Sequence, residues 1–150
     1  MVPEAPLLAI VEADLGRAEH QRAVVALTDA YARDPMGNGA PLPQEALDRL
    51  IPGLRAHPTT LVFIAYDGGQ AVGIATCFLG FSTFHARPLV NVHDLAVLPA
   101  RRGQGIGRRL LEAVERKARA LGCCKVTLEV RDDNATAQAL YRRVFREMSA

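Results

Sequence analysis

Apolar positions along the chain alternate between two periods, and the changes of period mark out the elements. A short apolar run at Leu7–Val11 predicts a first strand, and Ala18, Val24, Val25, Leu27 and Tyr31 fall at helical spacing within Leu15–Tyr31. Asp34–Pro43 (DPMGNGAPLP) is dense in proline and glycine and predicts a loop. Leu47, Leu50, Ile51 and Leu54 share one face of a second helix, Gln44–Ala56, which Pro52 is expected to end or bend. Thr60–Tyr66 and Gln70–Phe78 are apolar and β-branched about Asp67-Gly68-Gly69, a hairpin signature. Leu79–Arg87 reads as a loop or a continuing strand edge, and Leu89–Leu98 as another strand, stopped by Pro99.

The period then becomes helical. Ile106, Leu110, Leu111, Val114, Ala118 and Leu121 trace the buried stripe of one long helix, with Gly122 at its C-cap. Lys125–Val130 predicts a strand, and Asn134–Phe145 a final helix with Ala137, Leu140, Tyr141 and Val144 on one side. The order β-α-α-β-β-β-α-β-α describes a mixed α/β domain. No linker or repeat divides the 150 residues, so a single domain over 1–150 is expected.

Composition narrows the class. Hydrophobic residues make up 49% of the chain and charged residues 23%, which excludes global disorder. No apolar stretch is long enough to span a bilayer, and the first residues lack a basic n-region, so neither a membrane span nor a signal peptide is expected. The three cysteines, Cys77, Cys123 and Cys124, form neither a disulfide framework nor a zinc-ligand spacing. A reducing cytoplasm is the expected location and no metal the expected cofactor. Charge is uneven: residues 1–100 carry net −4 and residues 101–150 net +6. A basic half of this kind suits an anionic ligand, either nucleic acid or a phosphorylated cofactor. Residues 101–140 contain no aromatic to stack on bases, which argues against nucleic acid.

The most informative stretch is Leu95–Leu111 (LAVLPARRGQGIGRRLL), where a strand stops and a basic glycine-rich turn opens into a helix. Gly103, Gly105 and Gly107 leave backbone N–H groups uncovered at the positive end of the helix, where phosphate oxygens are attracted. Arg101, Arg102, Arg108 and Arg109 add positive charge. Arg108 after Gly107 excludes a Walker A loop, and G-x-G-x-G after the fourth strand excludes a Rossmann fingerprint.

Arg102-Gly103-Gln104-Gly105-Ile106-Gly107 instead resembles the Arg/Gln-x-x-Gly-x-Gly/Ala acyl-CoA pyrophosphate loop of the GNAT N-acetyltransferase superfamily. The flanking Leu95-Ala96-Val97-x-Pro99 and Leu110-Leu111 are similar to the family too. A second block, Asn134-x-x-Ala137-x-x-Leu140-Tyr141, resembles the family's Asn-x-x-Ala-x-x-Leu/Phe-Tyr, one helix and one strand further on. The resemblance covers roughly residues 60–145. It implies a mostly antiparallel sheet flanked by helices, with a splayed parallel strand pair that holds acyl-CoA, and acetyl-CoA as cosubstrate. The implied cofactor contacts are Leu95, Ala96, Val97, Arg102, Gly103, Gln104, Gly105, Ile106, Gly107, Arg108, Asn134, Ala137 and Tyr141.

The implied reaction is direct acetyl transfer to a primary amine. A lysine-like amine is only about one part in 10³ neutral at pH 7, so a base is useful. His93 stands where polyamine-acetylating members of the family carry a proposed glutamate base. Asp94 is the second candidate and faces the other side if the strand is regular. The resemblance assigns an oxyanion-binding backbone N–H to Leu95–Leu98, most naturally Val97, and the leaving-thiolate acid to Tyr141. Asn134 is either a pantetheine contact or a helix N-cap. Cys123 and Cys124 open a strand and are expected to be packing residues rather than nucleophiles. Tyr31, Phe81, Phe84, His57, His85 and the Asp34–Pro43 loop are candidates for the acceptor side, and Asp29 and Asp34 would suit a cationic amine. The acceptor stays open between peptide amino terminus, lysine, polyamine and aminoglycoside. The alternative is a non-catalytic acyl-CoA-binding module. Tyr141-Arg142-Arg143-Val144-Phe145 lacks the family's x-x-x-Gly-Phe ending, and at most one strand follows it. An open sheet edge is therefore expected, covered by a second copy in a homodimer.

Overall fold

The computed structural model describes residues 8–130 and 133–149, with side chains of the last helix described through Arg143. The elements follow in the expected order: β1 (Leu8–Glu12), α1 (Ala18–Arg33), α2 (Gln44–Ala56), β2 (Thr60–Asp67), β3 (Gln70–Ser82), β4 (Arg87–Val97), α3 (Ile106–Ala120), β5 (Val126–Leu128) and α4 (Ala135–Ser149). Leu7, expected to start the first strand, lies outside the described residues, as do the side chains of Val144 and Phe145.

The five strands lie side by side in chain order, antiparallel except for the parallel β4–β5 pair. Period-two alternation along β2 divides the core into two layers. Leu61, Phe63 and Ala65 face a cluster that includes Leu110, Leu111, Val114 and Tyr141. Val62, Ile64 and Tyr66 face another, built with Val24, Leu27 and Leu54. Helices α3 and α4 therefore cover one face of the sheet, and α1 and α2 the other. Helix α3 is seated closely: a Cβ on Gly73 would lie 3.0 Å from Ile106 Cγ2 and 3.1 Å from Leu110 Cδ1.

Helix α2 spans the expected Gln44–Ala56 with Pro52 inside it, so of the two effects expected of the proline, ending the helix is not the one seen. Of the two readings of Leu79–Arg87, the continuing strand holds for most of it: β3 continues to Ser82, β4 begins at Arg87, and only residues 83–86 turn. The last strand is shorter than Lys125–Val130, and Cys123 and Cys124 precede it rather than open it. Leu121, placed on the buried stripe, is 41% exposed because it lies past the last helical residue. Gly122 does take the left-handed conformation of a helix terminus, at φ 75°.

The correction that matters most is in β4. Asp94 pairs with Thr76 and Val92 with Cys77, so His93 is an extra residue, a β-bulge. The bulge reverses the pleat. Val92 and Leu95 both pack toward α3, while Asp94, opposite Thr76, shares a face with Ile74 and Ala96. His93 also lies on that face, with its ring edge-on to Phe78 at 5.7 Å. His93 and Asp94 thus point to the same side of the sheet, not to opposite sides.

The seating of α3 on β3 has a measurable consequence. Gly73→Ala pushes a methyl into Ile106 and Leu110, and is expected to cost about 1–3 kcal/mol. Urea unfolding checks this, and a midpoint equal to wild type would show that α3 does not approach β3 this closely.

Candidate active site

The site begins where two parallel strands part. β4 and β5 pair over Val90↔Val126, Asn91↔Thr127 and Val92↔Leu128, and one further bond runs from Glu129 N–H to Val92 C=O at 3.3 Å. β4 then continues to Val97 beside β3 alone among the described residues. Leu98 donates its N–H to Val72 C=O, and Val97 stands opposite Gly73. Alternate residues of an antiparallel strand turn their amide groups toward and away from the neighbour. The N–H and C=O of Val97, and of Leu95 two residues earlier, therefore face the gap. Ala96 turns its backbone to β3 and its side chain toward α1, into a crevice shared with Leu27, Ala30, Tyr31 and Arg102.

The glycine turn lies at one end of the gap. Gly103 and Gly105 have φ of 79° and 80°, a conformation that favours glycine, and nothing stands within 4 Å of a Cβ built on either. The first helical bond here is Arg109 N–H to Gly105 C=O at 3.1 Å, so the N–H groups of Ile106, Gly107 and Arg108 precede the ladder. Open space above a left-handed glycine, at a helix start, fits a diphosphate. Gly107 serves packing instead. A Cβ there would be 3.3 Å from Leu140 Cδ2 and 3.9 Å from Leu95 and Val97, so the glycine lets α3 lie close to α4 and β4.

The arginines of this segment already have protein partners. Arg101 pairs with Asp67 at 2.6 Å and with Gln104 Oε1 at 3.1 Å. Arg102 pairs with Asp34 at 2.6 Å and donates from Nε to Val97 C=O at 3.3 Å. Arg109 donates to Leu8 C=O at 2.9 Å, and Arg108 faces Glu112 at 3.9 Å. What the turn itself offers an anion is chiefly backbone N–H.

Tyr141 comes from α4 and is buried, with burial pushing its hydroxyl up to about 12; the neighbouring Tyr31 and Asp94 add to the effect. Such a phenol stays protonated at neutral pH and can donate. Asn134 caps α4, its Oδ1 accepting the Ala137 N–H at 3.1 Å, so the cap reading of this residue holds.

The other face carries the candidate bases. Asp94 is half-buried and burial raises its carboxyl above the ordinary range, with His93 opposing and Glu129 adding to the shift. His93 Nδ1 lies 3.2 Å from Glu129 Oε2, both side chains being about half exposed. His57 stands edge-on to Phe78 at 5.1 Å, one ring away from His93. Glu129 and Phe78 were not legible as site residues. Both lie in apolar strand patterns, and only the sheet register brings them to His93. Phe81 and Phe84 sit at the exposed β3–β4 hairpin, with Phe84 beyond Arg87 and so roughly 20 Å of strand from His93. His85 is held there by Ser82. These three are not brought to the gap.

The cysteines offer no activated nucleophile. Burial pushes the Cys77 thiol up to about 12 and also raises that of Cys123, the opposite of what a thiolate nucleophile needs.

Known proteins place this geometry. The model of the acetyltransferase (GNAT) family matches residues 24–145. The N-alpha-acetyltransferase RimI of Mycobacterium tuberculosis is 37% identical over 132 residues, which is 87% of this chain and 73% of that protein. An uncharacterized protein of Mycobacterium leprae is 42% identical over 81 residues, 53% of this chain but only 22% of its own length. Among solved structures, an aminoglycoside acetyltransferase from an uncultured soil metagenomic sample, in complex with sisomicin, superposes with a TM-score of 0.76 at 21% identity, covering 91% of this chain and 86% of that one. An aminoglycoside N-acetyltransferase in complex with CoA gives 0.75 at 20% identity, covering 96% and 90%. These two likenesses show the fold, a five-stranded mostly antiparallel sheet with a splayed parallel pair. With its glycine turn, its parted strands and the family match over most of its length, the chain belongs to the acetyltransferase (GNAT) family of N-acetyltransferase enzymes.

Proposed function

We propose that the protein moves an acetyl group from acetyl-CoA directly to a primary amine. The observation that carries this is the gap between β4 and β5. Along it lie the glycine turn, the gap-facing N–H groups of Leu95 and Val97, Tyr141 in the same cluster as those two residues, and the His93–Asp94 pair, which supports the reading. The cosubstrate supplies an activated thioester. The N–H groups at the start of α3 would hold its diphosphate, and the gap-facing amide of Leu95 would bond its pantetheine arm. Ala137 and Leu140 pack in the same cluster as Leu95 and Val97 and would wall that arm.

The two faces of the sheet divide the remaining steps. On the α3–α4 face Tyr141 keeps its proton and donates it to the leaving thiolate. On the α1–α2 face the amine approaches His93 and Asp94, which carry off the proton it loses. A lysine-like amine costs roughly 4–5 kcal/mol to neutralise at pH 7, and this face must offset that cost. The Val97 N–H, fixed by the strand and facing the gap, is placed to stabilise the negative charge that develops on the carbonyl oxygen. No protein nucleophile is used, in keeping with the raised thiols of Cys77 and Cys123. The N-alpha-acetyltransferase relative makes a peptide α-amine the first acceptor to test, and the aminoglycoside acetyltransferase neighbour makes an aminoglycoside the second.

Calorimetric titration with acetyl-CoA, followed by thiol release against a panel of primary amines, tests the reading. Wild type is expected to bind, and Gly105→Glu to lose about 100-fold or more in affinity with its circular dichroism unchanged, because a carboxylate would fill the phosphate cradle. A wild type that does not bind acetyl-CoA would sink the proposal, and binding without turnover on any amine would leave an acyl-CoA-binding module.

Tyr141→Phe is expected to lower kcat by about 10²–10⁴-fold with acetyl-CoA affinity nearly unchanged. With the phenol pushed up to about 12, wild-type kcat should show no alkaline fall from tyrosine ionisation between neutrality and roughly pH 10. An unchanged kcat in Tyr141→Phe would remove the acid role.

His93→Gln and Asp94→Asn, compared at neutral pH, separate the two base candidates. The variant that removes the proton acceptor should lose about 10²-fold or more in kcat at constant acetyl-CoA affinity. Two variants with wild-type kcat would assign the proton to water.

A further inference from the structure

Arg102 belongs to the glycine-turn motif, yet its guanidinium is engaged by Asp34 and Val97. Its Nη2 meets Asp34 Oδ2 at 2.6 Å across 68 positions of sequence, and its Nε donates to Val97 C=O at 3.3 Å. The Asp34 side chain is only 9% exposed and that of Arg102 51%, so a covered carboxylate is met by a guanidinium that still reaches solvent. The same aspartate organises the loop between α1 and α2. Its Oδ1 accepts the Met36 N–H at 2.9 Å, and its backbone C=O accepts from Gly37 and Gly39 at 2.9 and 3.0 Å. The loop is drawn tightly onto the end of α1, since a Cβ on Gly37 would overlap Tyr31 C=O. Tyr31 in turn lines the crevice with Ala96, Val97 and Arg102.

We propose that Asp34 and Arg102 form a strap that ties the 34–43 loop to the gap-facing carbonyl of Val97, making Asp34 a positioning residue for the acceptor side. Arg102 is then a bridge between the loop and the strand, and the diphosphate is left to the backbone N–H groups of α3. Guanidinium geometry suits this role, because Nε and Nη2 donate in different directions from one rigid plane. A lysine would supply the charge without the second bond. The acceptor arm of this proposal rests on the acetyl-transfer reading, whereas the loop arm stands without it.

The test uses Asp34→Asn, Arg102→Ala, Arg102→Lys and the Asp34→Asn/Arg102→Ala pair. Three quantities are read: amide hydrogen exchange of residues 36–42, calorimetric affinity for acetyl-CoA, and acceptor KM against kcat. A strap predicts loop exchange faster by about tenfold in each single variant, with the pair no faster than either alone. Arg102→Ala should weaken acetyl-CoA no more than Asp34→Asn does, and Asp34→Asn should raise acceptor KM several-fold with kcat nearly unchanged. Loop exchange at the wild-type rate overturns the strap. So does a loss of about tenfold in acetyl-CoA affinity in Arg102→Ala alone, which would return Arg102 to the phosphates. An unchanged acceptor KM overturns the positioning role of Asp34. If Arg102→Ala does not fold, Arg102→Lys and Asp34→Asn carry the same readouts. If wild type neither binds acetyl-CoA nor turns over an amine, the transfer reading has failed, and loop exchange alone still decides the strap.

Discussion

The parting of β4 from β5 after Val92 is the constraint on which the rest of this structure depends. A parallel pair in the body of a sheet normally satisfies its backbone bond by bond, and unpaired buried amides are costly. Here the chain leaves the amides of Leu95 and Val97 turned into a gap, and the neighbouring elements serve that opening. The bulge at His93 belongs to the same device. Were His93 paired with Thr76 in a regular ladder, Leu95 and Val97 would turn their side chains to the α1–α2 face and their amides to β3. The bulge therefore directs the strand's amides into the gap and brings His93 and Asp94 together on the α1–α2 face.

Three glycines in five residues read alike in sequence and do two different jobs. Gly103 and Gly105 are left-handed with open space above them, so they keep backbone N–H groups uncovered. Gly107 is helical and crowded by Leu140, Leu95 and Val97, so it sets how near α3 can approach. Gly73 does the same from the other side, against Ile106 and Leu110. The cradle is thus held in place by close packing beneath it as much as by its own turn.

The uneven charge of the chain also has a second meaning in three dimensions. The acidic first 100 residues and the basic last 50 meet in Glu12–Lys117, Asp34–Arg102 and Asp67–Arg101. Asp34–Arg102 and Asp67–Arg101 fasten the α1–α2 loop and the β2–β3 turn to the residues just before the glycine turn, and Glu12–Lys117 fastens β1 to the last turn of α3. Exposed pairs such as Glu12–Lys117 contribute little stability. Part of the charge that the sequence offered to an anionic ligand is therefore used within the fold.

Local pattern was enough for the element order, the single long helix with Gly122 at its end, and the glycine turn at its start. Those signals depend on residues near one another in sequence: the period of Ile106, Leu110 and Val114, or the backbone freedom of Gly103 and Gly105. Tyr141 and Asn134 were legible for the same reason, as a spaced motif along a single helix and its cap. Three features were not legible: the bulge that puts His93 and Asp94 on one face, the Glu129 contact, and the turning of Arg102 to Asp34. Each depends on what lies opposite a residue, which is set by register between strands and by which loop reaches which helix. A period-two pattern looks the same before and after an inserted residue until a partner strand counts it. The sequence alone determined which elements form and where a glycine turn opens the long helix. Only the tertiary structure decided which side chains face the gap, because that follows from pairing and packing between segments far apart in the chain.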